Sequence, residues 1–191
     1  MFDAISSQAS KLVKLTNRAK KNYSKTKLLT ITSGKGGVGK STLTANIAFL
    51  LAKRGFSVAI LDADIGLANM QVLLDIRPQY TLFEYIDGIK TLDEVITKTI
   101  YQNLFLIAGK SGYQYTSNTN SFIFSRVVED IISLSQFDIL LVDTGAGLND
   151  YVKEFLSISD NILAITTTDP SALTDVYSLI KMLSIDKNKL M

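Results

Sequence analysis

Apolar residues along this chain fall into two alternating kinds of run. Short, nearly continuous apolar stretches at 28–32, 58–61, 104–107, 139–142 and 162–166 predict buried β-strands. Longer stretches with helical spacing separate them. Residues 40–54 carry Leu43, Ile47, Leu50 and Leu51 and end before Gly55; 122–135, 149–156 and 171–183 have the same character. Between the second and third strands, 67–75, 81–87 and 92–98 predict three short helices, punctuated by Pro78 and Gly88. Strands that are apolar on both faces and alternate with helices predict an α/β fold, a mostly parallel sheet flanked by helices on both sides. Ligands of such sheets bind at the carboxyl ends of the strands. Residues 1–26 precede the first strand and read as an arm, leaving 27–191 as one domain.

Chemistry gathers where that pattern says a ligand belongs. After the first strand come Gly34, Lys35, Gly36, Gly37, Val38, Gly39, Lys40, Ser41 and Thr42, which satisfy Gly-x-x-x-x-Gly-Lys-Ser, the phosphate-binding P-loop. Glycines let successive backbone N–H groups turn inward around phosphate oxygens, and the following helix adds the positive end of its dipole. Lys40 is expected on the β- and γ-phosphates, the Ser41 hydroxyl on Mg2+, and Thr42 near the α-phosphate. The second strand delivers Asp62 and Asp64. The fourth apolar strand runs into Asp143, a carboxylate for the magnesium water shell, followed by Gly145 and Gly147. Asp169 and Pro170 follow the last strand, on the side where a base would lie. The guanine-specific Asn-Lys-x-Asp motif is absent, which favours ATP and ADP.

Composition narrows the mechanism. The chain has no cysteine and no histidine. Disulfides, thiolate metal sites, iron–sulfur clusters and the commonest general base are therefore excluded for these residues. Carboxylates, lysines, hydroxyls, amides and Mg2+ remain, a set suited to phosphoryl transfer. No apolar run approaches a membrane span, and the N-terminus has no secretory h-region, so a cytoplasmic location is expected. The net charge of +2 is uneven: Lys11, Lys14, Arg18, Lys20, Lys21, Lys25 and Lys27 form a basic stretch without an acidic residue.

Lys35, a second lysine inside the loop, makes it resemble the deviant Walker motif of the MinD/ParA ATPases. That resemblance implies an ATP-bound homodimer in which Lys35 reaches the partner's phosphates, as an arginine finger does. It also implies that Asp64 positions the attacking water and contributes to the metal site, with Asp62 supporting magnesium or the geometry of its loop. The segments Asp62–Leu74, Thr81–Tyr85, Ile107–Gly112 and Asp143-Thr-Gly-Ala-Gly147 resemble the flagellar MinD-like branch (FlhG, FleN, YlxH). Division-site MinD proteins usually have Asp-Ser-Pro-Ala-Gly at the last of these. The branch implies control of flagellar number and placement, through an FlhF-like GTPase of the signal-recognition-particle type and flagellar switch proteins. In it, an N-terminal Asp-Gln-Ala-x-x-Leu-Arg helix stimulates the GTPase; Gln8, Ala9 and Leu12 match, while the flanking residues depart. Full-length members continue into further strands and a membrane-targeting helix. Residues 186–191 have no such apolar stripe, so the peripheral place at the inner membrane face or cell pole that the resemblance implies is left open for this chain, whether it is naturally short or a fragment. A ParA-like role on DNA, using the basic arm, or a division-site role is the competing expectation.

Overall fold

Six strands form a single sheet in the order β3-β4-β2-β5-β1-β6. They are β1 (Lys27–Ser33), β2 (Val58–Ala63), β3 (Ile96–Lys98), β4 (Leu104–Ile107), β5 (Ile139–Ala146) and β6 (Asn161–Ile165). All pairings are parallel except β3 with β4. The computed structural model describes residues 26–64, 68–110 and 122–185. The arm residues Gln8, Ala9 and Leu12 therefore lie outside the described residues. Thr26, at the inner end of the expected arm, is buried and donates a 2.7 Å hydrogen bond to the Phe137 carbonyl, so it packs with the body.

Alternation of side chains across each strand feeds two cores. Leu28, Ala59, Leu61, Leu140 and Val142 face Phe124 and Phe155, from helices α5 (Ile123–Ser133) and α6 (Asp150–Ile158). Ile31, Ile60 and Leu141 face α1 (Lys40–Lys53) and Met70 of α2 (Met70–Leu73). Helices α3 (Leu82–Ile86) and α4 (Leu92–Val95) follow α2, and α7 (Pro170–Ile185) ends the described chain.

Two local expectations change. Residues 92–98 are not one helix: α4 stops at Val95, and Ile96, Thr97 and Lys98 pair antiparallel with β4. Their β-branched residues suit the otherwise open edge of β4, which only tertiary pairing supplies. In α1 the buried face is Thr44, Ala45, Ala48 and Ala52, while Leu43 and Leu50 are exposed. Small residues allow the helix to lie close over β1, β2 and β5, which positions its N-terminus against the strand ends.

Candidate nucleotide site

β1 ends at Ser33, and the chain turns at once into the glycine loop. The Ser33 hydroxyl donates to the Lys35 carbonyl at 2.9 Å, and Gly147 N–H donates to the Ser33 carbonyl at 3.0 Å, tying the exit of β5 to the loop's start. Gly37 and Gly39 have φ of 77° and 90°, conformations that side chains disfavour. Gly39 is the N-cap of α1. It makes no side-chain cap, and no acidic residue occupies the first turn. The first N–H groups of this helix thus have no side-chain acceptor from the cap, the local condition for receiving an anion. A Cβ at Gly37 or Gly39 would meet nothing within 4 Å, so the backbone lies open to a ligand.

The two loop lysines have opposite environments. Lys40 is buried and its Nζ donates to Asp143 Oδ1 at 2.9 Å. Thr44 Oγ1 lies 3.1 Å from the same oxygen. Lys35 is 46% exposed in its side chain and its Nζ donates to Asp169 Oδ2 at 2.6 Å and to Ser171 Oγ at 2.7 Å. The Lys35 ammonium first, and the Ser171 hydroxyl second, hold the Asp169 carboxyl below its usual range. Pro170 opens α7 beside this cluster. Thr44 and Ser171 were not candidates from sequence. The spacing of four between Lys40 and Thr44, which puts both on one helix face, is the signal that would have found Thr44.

The carboxylates stand at adjacent strand ends. Asp62 is opposite Asp143 in the β2–β5 register. It is 2% exposed, and its carboxylate accepts from the N–H groups of Asp64 at 3.3 Å and Met70 at 3.2 Å. Burial is the main cause that pushes its carboxyl up to about 7, with the Asp143 charge adding and the two N–H groups opposing. Asp64 is half-buried, and its Oδ1 lies 3.4 Å from where a Cβ on Gly145 would stand. Ser41 is half-buried at the start of α1; Thr42 is exposed.

These residues fit Mg·nucleotide. Among the described residues no group of three or more His, Cys, Asp or Glu side chains could hold a metal. Magnesium keeps several waters and takes one or two protein oxygens alongside phosphates. Ser41 would supply a direct oxygen, with Asp64 and Asp143 placed to hold the ion's waters.

The family model described as ParA, NUBPL iron-transfer P-loop NTPase, matches residues 24–191. The chain belongs to the ParA/MinD family of P-loop NTPases. No cysteine accompanies the match, so the thiolate chemistry of an iron–sulfur carrier has no residues here. Within the family, the chain is 41% identical over 172 residues to the flagellum site-determining protein YlxH of Helicobacter pylori, covering 88% of this chain and 58% of that protein. It is 35% identical over 160 residues to the antiactivator FleN of Pseudomonas aeruginosa, covering 83% and 57%. The chain thus spans somewhat more than half the length of these relatives. Among solved structures it is similar to MinD of Pyrococcus horikoshii complexed with Mg-ADP, with TM-score 0.72 and 26% identity, covering 83% of this chain and 66% of that one. A chain of the MinC:MinD cell division protein complex of Aquifex aeolicus superposes with TM-score 0.74 at 32% identity, covering 85% of this chain and 66% of that one.

Proposed function

We propose that this ParA/MinD-family chain hydrolyses Mg·ATP as a dimerising switch that regulates flagellar number and placement. The observation that carries the reading is the divergence of the two loop lysines. Lys40 is committed inward to Asp143, whereas Lys35 sits at the surface, where a second copy has access to it.

The chain's residues divide the work. Amides of 34–42 and the Lys40 ammonium hold the phosphates, and Asp143 fixes Lys40 in place. Asp64 accepts a hydrogen bond from water and orients it toward the terminal phosphorus. That water's oxygen bonds to phosphorus while the bond to the bridging oxygen of ADP breaks, and the displaced proton passes to phosphate and solvent. Magnesium, when bound, neutralises charge on the phosphate oxygens. Lys35, exchanging Asp169 and Ser171 for the partner's phosphates, adds a cation in trans.

The names of YlxH and FleN support the flagellar assignment. The reading places the chain in the cytoplasm, acting on an FlhF-like GTPase through Gln8, Ala9 and Leu12 and on flagellar switch proteins. Light scattering with ATP or ADP, and phosphate release, test it. Wild type is expected to be monomeric with ADP. Asp64→Ala is expected to stay dimeric with ATP while turnover falls about 100-fold. Wild-type turnover in that variant refutes the role of Asp64; a monomer under every nucleotide refutes that of Lys35. If removing residues 1–26 leaves stimulation of the GTPase unchanged, the arm has no such part.

A further inference from the structure

Two roles were open to Asp62 on sequence grounds, support of the metal or support of its loop, and the geometry separates them. On the β5 side its backbone pairs in register with Asp143, while the pairing of β2 with β4 ends one residue earlier, at Leu61. The exit of β4 presses on it as well. A Cβ at Gly109 would stand 2.6 Å from the Asp62 carbonyl oxygen, so glycine is what permits this approach. The side chain is 2% exposed. Each carboxylate oxygen is engaged by a backbone amide, Oδ1 by Asp64 N–H at 3.3 Å and Oδ2 by Met70 N–H at 3.2 Å. Met70 is itself a fully buried residue at the start of α2.

We infer that Asp62 is a positioning residue, an immobile post in the sheet that ties the backbone of Asp64 to the N-terminus of α2 and so aims the Asp64 carboxylate at the β5 exit. The assignment rests on the proposed role of Asp64. The side chain of Asp64 is only half-buried and ends beside Gly145, at the ligand end of the sheet. A misplacement of that carboxylate by about 1 Å costs on the order of 100-fold in rate. The two amides belong to separate stretches of chain, and each takes a different oxygen of the carboxylate. The amide of Asp62→Asn keeps one acceptor and turns an N–H2 toward the second N–H, so one tie is lost at nearly constant shape.

Hydrogen exchange and steady-state hydrolysis on the 191-residue chain test this. In Asp62→Asn, exchange at the Asp64 or Met70 amide is expected to rise at least about tenfold relative to amides of α1. Turnover is expected to fall at least about tenfold. KM for ATP and affinity for ADP should stay within about twofold, because the phosphate loop is untouched. Unchanged exchange, wild-type turnover despite fast exchange, or a parallel loss of ADP affinity each overturns the assignment. Asp62→Ser, whose hydroxyl is too short to span both amides, is a second variant. Fast exchange at both amides of the unaltered chain also overturns it. Exchange is measured without nucleotide and above pH 7, where the Asp62 carboxyl is ionised and both oxygens accept, so a chain that binds ADP yet releases no phosphate sinks the hydrolytic reading while the tie itself is still decided.

Discussion

Gly34 opens the phosphate loop, and what it touches is the C-terminal helix of the described chain. A Cβ added there would stand 2.4 Å from Asp175 Cβ, 2.6 Å from its carbonyl carbon and 2.8 Å from Val176 N. Carbon atoms in contact sit about 3.5–4.0 Å apart, so Gly34→Ala requires the first turns of α7 or the loop to retreat by roughly 1 Å. Two of those three atoms are backbone, which no rotamer change relieves. Overpacking of this kind costs about 1–3 kcal/mol. For a domain of this size each kcal/mol lowers Tm by about 2–4 °C, so a drop of roughly 2–12 °C is expected. A retreat of the loop displaces its amides from the phosphate positions, so weaker ADP binding should accompany the lower Tm. Gly36→Ala is the control: its new methyl would find only Ala146 Cβ, at 4.0 Å, and Tm should hold within about 1 °C. Thermal melts and ADP titration of both variants decide the matter. A Gly34→Ala protein that melts with wild type refutes the claim that this glycine exists to admit α7.

Three further outcomes follow from the site. Asp62 has a folded-state pKa of about 7 against an ordinary 3.8, so the folded nucleotide-free chain holds a proton that the unfolded chain releases. This contribution is fully present below 3.8 and is lost as pH rises to 7, at up to about 1.4 kcal/mol per pH unit. Denaturant melts between pH 5 and 7 should therefore slope downward for wild type and flatten for Asp62→Asn. Thr44→Val removes a hydroxyl 3.1 Å from the buried Asp143 carboxylate and is expected to cost about 1–3 kcal/mol, read as a lower denaturation midpoint. Asp169→Asn weakens the exposed tie on Lys35; Tm should stay put while ATP-dependent dimers form at lower protein concentration, and an unchanged dimerisation midpoint would show that the tie does not compete with Lys35's trans role.

What was legible in the linear chain was what depends on near neighbours. The glycine loop is contiguous, and left-handed Gly37 and Gly39 with Lys40 and Ser41 beside them are a local conformational demand. Apolar strands between helices already required a sheet covered on both faces, because no other arrangement buries them. Asp62, Asp64 and Asp143 were visible as carboxylates leaving such strands. Three things were decided only in three dimensions. Residues 96–98 became a strand because β4 offered an open edge, which outweighs a weak local helical pattern. α1 turned its alanines inward and left Leu43 and Leu50 outside, since close approach to the sheet mattered more than the size of the buried side chains. Lys35 took Asp169, 134 residues away, and Asp62 became the post for Asp64 and Met70. Spacing along a chain encodes short-range geometry, but the partner of a charge or a buried carboxylate is set by which distant segments the packed sheet brings within hydrogen-bond reach.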